Sequence, residues 1–242
     1  MSLSRAPGLS RWFPVFLALF ALSTGASAAT IIWGSAFDAG SVSDVDVTGG
    51  TVVYAMNGGS NTPTISGINF TSTDYGNLPT NVSFIDNLGS TTPGSRATSG
   101  VITGSTGDTF YDSLLNEAVD TEFGITDGTM TFGGLTDGVD YQIQVWYSDT
   151  RGLSSIGNRT MTYGDGNGNT VGLANVDNFG QTAVGTFTAV GTSQDLTHVA
   201  SGFGNVHYNG ILLQTVPVPE PSSAALLLGL VVTASACRRC RS

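Results

Sequence analysis

The chain contains no lysine. Its eight cations are all arginines, and five of them (Arg5, Arg11, Arg238, Arg239, Arg241) lie in the two terminal segments. Between those segments only Arg96, Arg151 and Arg159 stand against seventeen of the eighteen acids, which leaves the body at −14. A surface of that sign repels phosphate backbones and argues against nucleic acid as a partner. The body also lacks cysteine: Cys237 and Cys240 both follow it, so no disulfide framework holds the fold. Their C-x-x-C spacing has neither the second ligand pair of a zinc site nor a βαβ context, and reads as tail chemistry without a fold role. His198 and His207 are the only histidines, too few for a metal or catalytic cluster without further ligands. There is no G-x-S-x-G, H-E-x-x-H, phosphate loop or dinucleotide fingerprint. Seventeen acids allow many carboxylate pairs for glycan cleavage, but none stands out. The expectation is a protein that is not an enzyme, with a glycan-active enzyme as the remote alternative.

The N-terminus has the parts of a secretory signal. Arg5 and Arg11 form a positive region, Phe13 to Leu22 an apolar run, and Ala26-Ser27-Ala28 a small-residue cleavage site. Ten apolar residues fall short of the roughly twenty that span a bilayer. Residues 1–28 therefore read as a signal peptide, with Ala26, Ala28 and Ala29 around the cleaved bond and export as the outcome.

Residues 29–215 read as one β domain. Paired turn signals (Gly-Gly at 49–50, 58–59 and 133–134, Asp-Gly at 127–128, 137–138 and 165–166, Asn-Gly at 57–58 and 209–210) separate short β-rich runs. Strands are predicted near 30–36, 51–56, 64–71, 81–86, 100–103, 129–133, 140–148, 159–163, 183–189, 195–200 and 206–215. Many short strands at near-regular spacing predict an all-β, jelly-roll-like sandwich. One segment has helical spacing instead: Phe110, Leu114, Leu115, Ala118 and Val119, with Asp108 placed to cap it, predict one short helix over 108–119.

The strongest strand is Asp140 to Ser148. Tyr141, Ile143, Val145 and Tyr147 point to one side and read as core. Gln142, Gln144 and Trp146 point to the other. They read either as packing under a second layer or as a sugar-stacking ring flanked by amides, the arrangement of a jelly-roll carbohydrate-binding module. Asp165, Asn167 and Asn169 alternate oxygen ligands in a way that suits calcium, though an Asp-Gly hairpin turn explains the same residues. No other cofactor is expected. Asp149 and Arg151 read as a loop clamp. Asn69, Asn81 and Asn158 head glycosylation sequons.

Residues 216–223 form a proline-rich, extended linker. Ala224 to Ala236 is apolar or small, about 20 Å of helix, and the arginines of 237–242 follow it. With the N-terminus exported, the positive-inside rule holds those arginines in the cytoplasm and makes the segment a transient stop-transfer element. The order Pro219-Glu220-Pro221, apolar stretch, then Arg238, Arg239 and Arg241 over residues 217–241 closely resembles the PEP-CTERM sorting signal of bacterial secreted proteins. The resemblance implies a Gram-negative-type bacterium and an exosortase-type membrane enzyme that recognises the tail. It implies transient residence in the inner membrane, then a place at the cell surface or in the exopolysaccharide or biofilm matrix. The cysteines among the arginines depart from that pattern. The body resembles, more loosely, the β-sandwich ectodomains such proteins carry, through Phe110–Leu115, Gly134-Leu-Thr-Asp-Gly and Tyr141–Arg151.

Overall fold

Side-chain alternation decides where this chain pairs into sheets. In Val82–Asp86 and Asp127–Gly133 every second residue is buried, as a pleated strand with one wet face requires. The structure, a computed structural model, describes residues 28–91, 96–99, 102, 104–121, 124–149, 159–174, 179–201 and 205–217. The first half holds β1 (Ile32–Trp33), β2 (Phe37–Asp38), β3 (Val52–Asn57), β4 (Thr64–Ile65), β5 (Ile68–Asn69), β6 (Thr71–Ser72), β7 (Val82–Asp86) and β8 (Arg96–Ser99). Next come α1 (Thr109–Asn116), β9 (Glu117–Asp120), β10 (Asp127–Gly133), β11 (Asp140–Tyr147), β12 (Thr160–Gly164) and β13 (Thr170–Ala174). The chain continues through β14 (Gln181–Thr188), β15 (Ser193–Ser201), β16 (His207–Tyr208) and β17 (Gly210–Thr215).

The protein is mostly β, with one short α-helix among the described residues. The first sheet runs β1-β14-β11-β17-β3-β6, with β2 also on β14, and the second runs β13-β12-β15-β10-β7. Within each sheet neighbouring strands are antiparallel except β3 with β6. The two sheets pack face to face. One buried cluster takes Tyr141, Ile143, Val145, Ile211 and Leu213 from the first and Phe84, Met130, Phe132, Met161, Tyr163 and Leu196 from the second. Each fully buried large apolar side chain contributes about 1.5–3 kcal/mol.

The other face of the first sheet is also covered. Trp146 of β11 and Leu212 of β17 pack against Tyr111, Leu114 and Leu115 of α1, Ile65 of β4, Ile68 of β5, Phe70, and Ala39 and Val45 upstream. The predicted helix is shorter than its spacing suggested. Asp108 caps it, its carboxylate accepting from the Phe110 and Tyr111 amides at 2.9 Å. Ala118 and Val119 instead lie in β9, where Val119 pairs with Ala97 of β8 and Tyr208 of β16. Both are buried there, held by pairing with β8 and β16. Residues 100, 101 and 103 of the strand expected near 100–103 lie outside the described residues, β8 at Arg96–Ser99 was not foreseen, and neither was β13.

Candidate functional site

Three concavities and one buried polar cluster carry the chemistry. One concavity, about 550 Å³, is an apolar groove lined by Ala29, Ile32, Phe187, Val190 and Val216 among others. It brings the two ends of the body together. Ala29 is fixed by Gln194, whose side chain accepts from the Ala29 amide (2.9 Å) and donates to its carbonyl (3.0 Å). Val216 is fixed by its amide on the Asp140 carbonyl at 2.9 Å. The residue after the expected cleavage and the residue leading into the tail therefore sit at one groove.

A polar cleft of about 390 Å³ runs beside α1, lined by Asn61, Thr109, Asp112, Ser113, Asn116 and Glu117. Its groups largely satisfy one another. Glu117 accepts from the Asn61 backbone (3.0 Å), the Asn61 amide and the Asn57 amide (3.2 Å). Burial acts to raise the Asp112 pKa. Hydrogen bonds from the Ser105 and Thr106 hydroxyls and the Thr106 amide outweigh it and hold the carboxyl below its ordinary value.

Asn209, fully buried at the start of β17, joins the first sheet to the small sheet and α1. Its side-chain oxygen accepts from the Ser148 amide at 2.6 Å, and its nitrogen donates to the carbonyls of Leu115 (2.8 Å) and Glu117 (3.0 Å). His207 Nε2 lies 2.9 Å from the Ser148 carbonyl, which can only accept, so that nitrogen carries the proton. Beside them Asp149 pairs with Arg159, and Asp120, Tyr147, Asn205 and His207 close a void with room for about one water. The clamp expected of Asp149 thus uses Arg159. Arg151 lies outside the described residues.

His198 has the least compensated environment. It is fully buried, neither ring nitrogen has a hydrogen-bond partner among the described residues, and Phe84, Tyr163 and Tyr208 surround it edge-on at 5.0–6.3 Å. Burial pushes its pKa from 6.5 down to about 3. The same desolvation raises the phenols of Tyr163 and Tyr208, the latter to about 12.

The sugar-stacking expectation for Gln142, Gln144 and Trp146 is corrected here, because all three are buried. The Trp146 ring is 0% exposed, meets Phe70 edge-on, and donates to the Tyr111 hydroxyl at 3.1 Å. Gln144 donates to the Asp44 carbonyl (2.6 Å) and the Thr182 hydroxyl (3.0 Å), and Gln142 donates to the Asp46 carbonyl (3.3 Å). The amides anchor the covering segment, and no ring face is open to a ligand.

Asp165, Asn167 and Asn169 form the turn between β12 and β13. Asp165 accepts from the Asn167 and Asn169 amides on one oxygen and from the Ile31 amide and Asn169 side chain on the other. Burial works to raise its pKa, yet these donors together lower it. With both oxygens already engaged, the turn reading accounts for these residues without a cation. Among the described residues no group of three or more His, Cys, Asp or Glu is arranged to hold a metal. Ala28 and Ala29 are described, while Ala26, Pro219, Glu220, Pro221, Arg238, Arg239 and Arg241 lie outside the described residues.

Sequence reasoning missed Asn209, whose only signal was an Asn-Gly pair that reads as a turn. It also missed the isolation of His198. No protein-family model matches the chain, and no curated protein matches it.

Proposed function

We propose that this is an exported, non-enzymatic protein of the bacterial cell surface or extracellular matrix, delivered by its C-terminal signal. The observation that carries this reading is the order of Pro219-Glu220-Pro221, the apolar run 224–236 and the arginines at 238, 239 and 241, in a chain that also has a secretory signal. A 13-residue apolar run holds the inner membrane only transiently, and the arginines keep its far end inside. An exosortase-type enzyme then recognises the Pro-Glu-Pro site. The groove shared by Ala29 and Val216 supports this reading, since both ends of the body then leave the fold at one place, toward the same membrane.

The domain carrying this function is a jelly roll. The strand orders β14-β11-β17-β3 and β13-β12-β15-β10 support that reading, because they are those of two interleaved Greek keys, with β7 as an added edge. The test is the intact mass of the exported protein from hosts with and without an exosortase-type enzyme. The expected product begins at Ala29 and has lost the tail only where the enzyme is present. Changing Pro219, Glu220 and Pro221 to alanine is expected to block that loss. A C-terminus still at Ser242 in the enzyme-bearing host refutes processing.

A further inference from the structure

We propose that the outward face of the second sheet docks an uncharged polysaccharide along a groove walled by Ile85, Thr129, Thr197 and Val199. The inference rests on the matrix reading above and adds to it a surface and a ligand class.

The two sheets differ in what lies on their outer faces. On the first sheet, Gln144, Trp146, Thr182 and Leu212 are buried beneath α1, the β4–β5 hairpin and the segment around 39–46. On the second sheet, the corresponding positions stay half-buried or exposed apart from the buried Gly164, with Ile85 at 50% and Val199 at 41%. Strand register sets these residues in rows. One row is Ile85, Thr129, Thr197, Gly164 and Thr170 across β7, β10, β15, β12 and β13. The next is Asp127, Val199, Thr162 and Gly172. Ser83, Thr131 and Asp195 form a third row and Ser201, Thr160 and Ala174 a fourth. Between the first two rows lies a groove of about 250 Å³.

The chemistry of this face points to one kind of partner. Each threonine presents a methyl group and a hydroxyl that both donates and accepts, repeated at about 4.8 Å across the strands and about 6.8 Å along them. Sugar chains present C–H surfaces and hydroxyls of the same two kinds. Thr131 is engaged with Asp195 and Thr160 with Ser201. The hydroxyls of Thr129, Thr162 and Thr197 make no hydrogen bond to any described residue, and these half-buried side chains stand in the same rows as Ile85 and Val199. The rows hold two acids, Asp127 and Asp195, and no cation. With the body at −14, an anionic polymer meets repulsion, whereas a neutral one does not.

A second copy fits less well. It would oppose identical acids and bury few large apolar side chains, whereas a stable dimer needs an apolar centre. A broad, shallow face also suits an extended polymer held at many weak points, with avidity supplying retention.

The test is co-sedimentation of the full exported protein with microcrystalline cellulose and with insoluble β-1,3-glucan, against alginate beads as the anionic comparator. Retention on at least one neutral polymer is expected, with weaker retention on alginate. Thr129→Lys combined with Thr197→Lys is expected to lower apparent affinity at least tenfold. Val52→Lys, an exposed position on the first sheet, should leave it unchanged. If the lysine pair fails to fold, Thr129→Val with Thr197→Val keeps the shape, removes the hydroxyls and should still weaken retention. The proposal is overturned by no retention on either neutral polymer, by equal retention on alginate, or by retention indifferent to the face variants. It is equally overturned if sedimentation velocity shows a dimer that the lysine pair dissociates. Binding is read on purified protein whatever its C-terminus, so failure here is distinct from failure of tail processing, which the intact mass reports.

Discussion

Lowering the pH from 7 to 5 is expected to weaken the fold through His198. The imidazole is fully buried among Phe84, Tyr163 and Tyr208, and neither nitrogen has a hydrogen-bond partner among the described residues. A proton there has no counter-charge at hand. The nearest carboxylate in the same inward row is Asp86, two strands away beyond Gly128, and it accepts from the Leu88 and Ser90 amides of its own turn. The folded pKa is therefore depressed to about 3 from 6.5. Below pH 6.5 the unfolded chain binds a proton that the folded protein refuses, so stability is complete above that pH and declines as pH falls toward 3.

At about 1.4 kcal/mol per pH unit between the two pKa values, the loss reaches about 2 kcal/mol at pH 5 and about 4 kcal/mol at pH 3. Against a total stability of roughly 5–15 kcal/mol for a domain, that is a large share. The assay is urea unfolding of the wild type and His198→Leu at pH 7, 6, 5 and 4. The variant should be at least as stable as the wild type at pH 7, since leucine leaves no buried nitrogen unpaired. The gap between the two should widen by about 2 kcal/mol at pH 5. Every other side chain is common to the two proteins, so much of its effect cancels in the difference. Parallel profiles over this range would refute the argument that desolvation of His198 sets the acid sensitivity.

Two substitutions test the junctions of the fold. Asn209→Ala strands the Ser148 amide and the Leu115 and Glu117 carbonyls in a buried site, and should cost about 3 kcal/mol by urea unfolding. A loss below about 1 kcal/mol would mean that water or neighbours replace those bonds. Gly180 has a φ of +87°, and an added Cβ there would lie 2.2 Å from the Tyr147 carbonyl. Gly180→Ala should lower the melting temperature by several degrees, about 2 kcal/mol or more, and an unchanged melting curve would contradict the geometry.

The β-rich class was legible because turn pairs and alternation are local signals. Val52–Asn57, Val82–Asp86, Asp127–Gly133, Asp140–Tyr147 and Thr160–Gly164 fall within two residues of expectation. What escaped depended on partners distant in sequence. Glu117–Asp120 continues the helical spacing of α1, but β8 and β16 capture it as a strand. Thr170–Ala174 follows a glycine-rich turn and is short, yet it completes the second sheet through β12. His198 occupies an inward position on β15, but only the fold reveals that neither of its nitrogens finds a hydrogen-bond partner among the described residues.

The same limit explains Trp146. Alternation separates the two faces of β11 and assigns Tyr141, Ile143, Val145 and Tyr147 to the core, where they lie. It cannot say whether the opposite face meets water, because that depends on segments about 30 to 100 residues away. Gln142 and Gln144 look like a ligand's amides only while their partners are unknown. Those partners are the carbonyls of Asp44 and Asp46, which bind the covering segment to the sheet. On the second sheet the outward residues are mainly threonine, serine and glycine, with no large aromatic to recruit a cover. A search for exposed rings therefore leads to the buried side of this protein. The outward rows of the second sheet instead carry threonine methyls and hydroxyls, and those of Thr129, Thr162 and Thr197 make no hydrogen bond to a described residue.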